Sequence, residues 1–102
     1  MIHVIAAIST TPEGRDELIA AFAQLIPLVR AEQGCIEYST AVDLATGLPT
    51  QAPTRDDVLV VVEKWESLQT LQAHLDAPHM IAFREANAHL LKGLSLQVLA
   101  PT

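Results

Sequence analysis

Aromatic side chains are scarce in this 102-residue chain, where Phe22, Tyr38, Trp65 and Phe83 are the only ones. The core must therefore be assembled from Ile, Val, Leu and Ala. Cations are scarce too: six Lys and Arg stand against twelve Asp and Glu, a formal charge of -6. Such a balance repels phosphate backbones and excludes nucleic acid as a partner. The single cysteine, Cys35, has no second thiol with which to close an internal disulfide. No apolar run is long enough to span a bilayer and no cleavable signal is legible, so the expectation is a soluble, cytoplasmic protein with no membrane partner. Neither a glycine-rich phosphate loop nor a dinucleotide fingerprint occurs. His74 and His79 have no third histidine or cysteine at ligand spacing, and the sequence predicts neither a metal nor an organic cofactor.

What is present has clear periodicity. Residues 2 to 9, IHVIAAIS, read as a strand; Thr11 then suits an N-cap and Pro12 a first helical position. Leu18, Phe22, Leu25, Ile26 and Val29 form the one-sided stripe of an amphipathic helix, which Pro27 bends and Gly34 ends. CIEYSTAV (35–42) alternates as a second strand, and residues 43 to 57, with Gly, Pro and Thr but no period, predict a long loop of the kind that often serves as a lid. VLVVVEKWE (58–66) is a strong third strand. Ser67 caps a short helix, Asp76 and Pro78 break it, and a further helix is predicted to run to about Lys92 before Gly93 stops it. LSLQVLA (94–100) closes the chain as a fourth strand.

This order is the β-α-β-β-α-β pattern of a ferredoxin-like α+β fold in one domain covering 1–102. Its helices cover one face of the sheet only. In the third strand Val58, Val60 and Val62 oppose Leu59, Val61 and Trp65, and in the first Ile2, Val4 and Ile8 oppose Ile5 and Ala7. Both faces being apolar, one is expected to be covered by a second copy, giving a homodimer packed sheet to sheet.

The chemistry-bearing residues crowd into EKWESLQTLQAHLDAPHM, residues 63 to 80. Trp65 reads either as a core anchor or as the wall of a pocket for a flat ligand. His79 shares a helical face with Phe83, Ala86 and Leu90 and suits either a satisfied core histidine or a general base. His74 lies beside the stripe Leu68, Leu71, Leu75, and His89 reads as solvated. Glu63 shares Trp65's face and, if buried, needs the indole or an inward histidine as partner. Tyr38, alternating with Ile36 and Thr40, can turn its hydroxyl to the same place, while Cys35 reads as a small hydrophobe.

The stretches MIHVIAAISTTPEGRDEL, EQGCIEYS and VVEKWESLQTLQAHLDAPHM resemble the antibiotic biosynthesis monooxygenase superfamily, and within it the quinol monooxygenase branch. The resemblance implies a dimeric α+β barrel that oxidises an electron-rich phenol or quinol to a quinone with O₂, with no metal and no organic cofactor. It implies a small aromatic substrate and O₂ as partners. His79 then takes the role of base, with His74 as second candidate, and Trp65 takes the catalytic pocket wall. Tyr38, Glu63 and Phe83 join Trp65 in binding substrate. The haem-degrading relatives need an Asn in the first strand, where this chain has Ala6 and Ala7, and an Arg or Asn near the tryptophan is available only if Arg84 or Asn87 faces inward. Two other classes remain open: a phospho-sugar isomerase, which wants a basic pocket, and a silent module that binds quinones or other aromatics.

Overall fold

The computed structural model describes all 102 residues. Its elements run β1 (Ile2–Thr10), α1 (Gly14–Arg30), β2 (Cys35–Ala41), β3 (Val58–Trp65), α2 (Leu68–Leu75), α3 (Pro78–Asn87), a 3₁₀ turn (Ala88–Leu90) and β4 (Leu91–Leu99). The four strands form one antiparallel sheet in the order β2-β3-β1-β4. The predicted α+β, ferredoxin-like architecture is therefore the one observed. No helix is long and apolar enough to cross a membrane.

Alternation along the two central strands decides which side chains enter the core. Val4, Ala6 and Ile8 of β1 and Leu59, Val61, Glu63 and Trp65 of β3 are buried on the helix side. Against them α1 sets Leu18, Phe22, Leu25 and Val29, the stripe its spacing predicts. On the opposite side of the sheet Ile5, Ala7, Val60 and Val62 form an apolar centre with no covering element in this chain. β4 is an edge strand beyond the reach of the helices, so Leu94, Leu96 and Val98, though paired with core-facing Ile8, Ala6 and Val4, remain 69%, 45% and 42% exposed.

Several local expectations are corrected. Thr11 does not cap α1: Pro12 and Glu13 occupy a turn in which Glu13 takes φ 68° and Gly14 N–H donates to Thr11 O at 2.9 Å, so the helix starts two residues later. The last helix stops at Asn87, not Lys92. There the Asn87 amide donates to Phe83 O, and Leu90 O already accepts from Thr11 N at the end of β1. Pairing to β1 then claims Leu91 onward, and Gly93 lies inside the strand opposite Ser9 rather than at a helix end. A bulge between Cys35 and Glu37 breaks the alternation of β2, leaving Ile36 half exposed while Tyr38 is buried. The long loop is fastened at its own ends, where the Asp43 carboxylate accepts from Arg55 Nε and Nη2, both at 2.8 Å.

Ser67 caps α2 as expected, in a reciprocal box with Thr70. The buried face of α2 is Leu71 and His74, with Leu68 turned outward and Leu75 partly exposed. On α3 the buried residue is Met80 rather than His79, so the inward face is rotated by one residue from the expected one. Ala86 is exposed.

Candidate active site

Between the sheet and the three helices lies a cavity of about 400 Å³, lined mostly by apolar side chains. Phe22 of α1 and Phe83 of α3 meet on one wall with ring centroids 4.7 Å apart, and Leu94 and Leu96 of edge strand β4 form another. Three buried polar side chains also line the cavity: Tyr38, Glu63 and His74. Arg84 and Lys92, both exposed, stand at its rim. No residue of the 43–57 loop contributes to it, so the expected lid lies elsewhere; its residues Asp43, Gln51, Ala52 and Pro53 border a separate, shallow hollow with Arg55.

Glu63 reaches the cavity because it is two residues from Trp65 on the core face of β3, and the Trp65 indole N–H donates to Glu63 Oε1 at 2.9 Å. That bond draws the carboxyl's pKa down, but burial outweighs it and, helped by the charge of Glu32, pushes the group up to about 7. Near neutrality Glu63 is thus divided between acceptor and donor forms. Tyr38 sits opposite Glu63 in the strand pair. Burial, then the carboxylates of Glu63 and Glu32, raise its hydroxyl well above the usual range, so it remains a neutral phenol. The same influences raise Cys35, which packs partly buried against the core as an unreactive thiol.

His74 is the centre of the arrangement. At 1% exposed it stacks between Trp65, with ring centroids 4.6 Å apart, and Tyr38, at 5.4 Å and nearly edge-on. Its Nδ1 lies 2.9 Å from Glu32 Oε2 and 3.2 Å from Glu32 Oε1. A carboxylate only accepts, so His74 donates from Nδ1. Nε2 of His74 makes no hydrogen bond within the chain; since no fully buried side-chain nitrogen or oxygen lacks a partner, Nε2 must keep some open surface, and His74 lines the cavity. Burial lowers the pKa of His74 despite the bond and charge of Glu32, and His79 and Arg84 lower it further. The ring is therefore neutral at pH 7, with a lone pair on Nε2.

His79 does not line the cavity; it is 27% exposed and donates from Nε2 to the same Glu32 oxygen at 2.8 Å. Trp65 stands behind the lining, touching Glu63 and His74 rather than the open space. Tyr38, Glu63, Phe83 and His74 are brought together on the cavity walls. His89 is on the surface, 3.9 Å from Glu17. The residue that the sequence reading missed is Glu32. It lies in the turn after α1, where Gly34 takes φ 83° and its carbonyl accepts from Glu66 N at 2.9 Å, pinning the turn beside the start of α2. A Cβ on Gly34 would lie 2.5 Å from Thr70 Cγ2, so only glycine allows this approach. The one local signal was an acidic residue just before a helix-ending Gly.

Comparison with known proteins settles the family. The family model for antibiotic biosynthesis monooxygenases matches residues 1–86. The chain belongs to the antibiotic biosynthesis monooxygenase family. It is 38% identical to an Escherichia coli protein named "Probable quinol monooxygenase YgiN", over 99% of this chain and 98% of that one. The solved structure of Rv0793 from Mycobacterium tuberculosis is 30% identical, with a TM-score of 0.79 over 99% of this chain and 94% of the other. PA3566 from Pseudomonas aeruginosa, at 23% identity, shares the fold with a TM-score of 0.81 over 99% and 93%. Membership of this monooxygenase family supports monooxygenase activity for the chain. The family match covers β1 through most of α3 and so includes Glu32, Tyr38, Glu63, Trp65, His74 and His79.

Proposed function

We propose that the cavity is the active site of a monooxygenase that oxidises a quinol or electron-rich phenol to a quinone with O₂ and no metal or organic cofactor. The observation that carries this reading is an apolar, aromatic-walled space whose polar side chains include a buried histidine with one ring nitrogen bonded to Glu32 and the other free of bonds within the chain. Apolar walls suit a flat ring, and a buried base suits removal of its phenolic proton. Nε2 of His74 takes that proton. The resulting phenolate is electron-rich enough to pass one electron to O₂, and the radical pair, confined by the walls, joins at a ring carbon as a peroxide. The peroxide takes back the proton from His74. Loss of water, with the hydrogen of the ring carbon, leaves a carbonyl there, so one oxygen atom enters the product and the other leaves as water.

Tyr38 and Glu63 serve as donors to the oxygens of the substrate, and Trp65 fixes Glu63 and backs His74. The base is His74 rather than His79, because His74 lines the cavity and His79 does not. A phosphorylated sugar fits less well, since Arg84 and Lys92 are only at the rim and a phosphate deeper in would meet Glu63. The uncovered centre of Ile5, Ala7, Val60 and Val62 supports a homodimer joined through that face of the sheet.

Oxygen uptake with a panel of quinols, on protein stripped of metal and kept in EDTA, tests the reading. Turnover is expected to persist in EDTA and to fall on the order of 10² to 10⁴-fold in His74→Gln. Tight binding of quinones without oxygen uptake by the native protein refutes catalysis and leaves a binding module. Light scattering showing a monomer at micromolar concentration refutes the dimer.

A further inference from the structure

Glu32 belongs to no wall of the cavity, yet its carboxylate is the joint between two histidines. Oε2 accepts from His74 Nδ1 at 2.9 Å and from His79 Nε2 at 2.8 Å. The three residues come from three places, the turn after α1, the end of α2 and the start of α3, and nothing in secondary-structure pairing requires them to meet. Their exposure is graded, from His74 at 1% through Glu32 at 14% to His79 at 27%.

We propose that Glu32 is the positioning residue of the site: it fixes the tautomer and orientation of His74, and it shares its charge with His79 so that the outer histidine sets how strongly the inner one holds a proton. This rests on the assignment of His74 as base. An imidazole has two nitrogens, and only the one without the proton can act as base. By accepting from Nδ1, Glu32 puts that proton on the side away from the substrate and leaves Nε2 free. When Nε2 takes a proton, the imidazolium forms on a side chain that is only 1% exposed, and the carboxylate beside it offsets the charge. A bond from His79 to the same oxygen draws density from that carboxylate, and removing the bond strengthens its hold on His74.

Other charged or titratable groups face this cluster. Tyr38 and Cys35 approach from β2, Glu63 from β3 and Arg84 from α3. None of them bonds to Glu32 or to His74. Arg84 acts on His74 by charge alone, in the direction that opposes protonation. Glu63 titrates in the same cavity, so the limb belonging to His74 is identified by following the histidine itself rather than the rate alone.

The experiment follows the ring signals of both histidines by NMR on the resting, full-length protein, with pH–rate profiles recorded on the same variants. Glu32→Gln keeps the size of the side chain but removes its charge. The titration of His74 is expected to fall by about one pH unit or more, with kcat reduced by about 10 to 100-fold and the His74 limb of the rate profile moved with the titration. His79→Asn is expected to move both in the opposite direction, upward, with kcat largely kept. Glu32→Asp restores the charge on a shorter arm; it is expected to recover part of both effects, and it carries the same comparison if the Gln variant fails to fold. An unmoved His74 titration in Glu32→Gln and Glu32→Asp overturns the proposal, as does a fall in kcat matched only by a fall in folded fraction. A titration that moves while the rate limb stays in place sustains the hold of Glu32 on His74 and overturns the assignment of His74 as base.

Discussion

Replacing Glu63 with Gln isolates a buried ionisation. Glu63 is 6% exposed, its Oε1 accepts the Trp65 indole proton, and burial holds its pKa at about 7 instead of 4.5. Gln keeps an oxygen acceptor in nearly the same place but cannot ionise. In the wild type well below pH 4.5, Glu63 is protonated in both folded and unfolded chains. As the pH rises from 4.5 to about 7, the unfolded carboxyl ionises while the folded one resists, and stability falls. At about 1.4 kcal/mol per pH unit, the span between those values caps the loss at roughly 3 kcal/mol. The cavity beside Glu63 admits some solvent, so about 2 kcal/mol is the expected loss. Urea unfolding at pH 4.5 and pH 8.5, on both proteins at equal concentration, measures it. The comparison is between pH dependences, so any fixed cost of burying the amide cancels. Wild type is expected to lose about 2 kcal/mol more than Glu63→Gln over that range. Parallel pH dependences for the two proteins would mean that Glu63 ionises in the fold as easily as in water, and the donor role given to it would fall.

Two further substitutions probe the supports of the site. Trp65→Phe removes a fully buried indole and the bond that holds the Glu63 carboxyl down; a loss of about 1 to 3 kcal/mol is expected in denaturant unfolding, together with a rise in the Glu63 titration seen by NMR, and an unmoved titration contradicts the bond. Gly34→Ala forces a side chain onto φ 83° and within 2.5 Å of Thr70; it is expected to cost at least about 1 to 3 kcal/mol and to shift His74 by displacing Glu32, and an unchanged thermal midpoint contradicts the close approach.

The order of strands and helices was legible because it is written in local periods. The stripe from Leu18 to Val29 can only bury one side of a helix, and the alternation through Leu59, Val61, Glu63 and Trp65 fixes one face of a strand. The Glu63–Trp65 pairing was open to the same reading, since residues two apart on a strand share a face. Ends were harder. Thr11 and Gly93 have the chemistry of a helix cap and a helix stop, yet the turn at Glu13 displaced the cap and hydrogen bonding to β1 took the segment from Leu91 onward into the sheet.

The residue types at the site follow from the sequence; their partnership does not. A helical wheel distinguishes His74 from His79 by angle alone, and a rotation of one residue was enough to exchange the inward member of the pair. Which histidine faces the cavity was decided by packing: His74 fills the space between Trp65 and Tyr38, and Met80 takes the inward place on α3. Glu32 had no local mark beyond its place just before Gly34, because its contacts lie 42 and 47 residues along the chain. Local spacing determined the faces, strands and helices of this protein. Only the folded chain decided which carboxylate meets which histidine, because that depends on how a turn held open by Gly34 docks against two helices formed far later in the sequence.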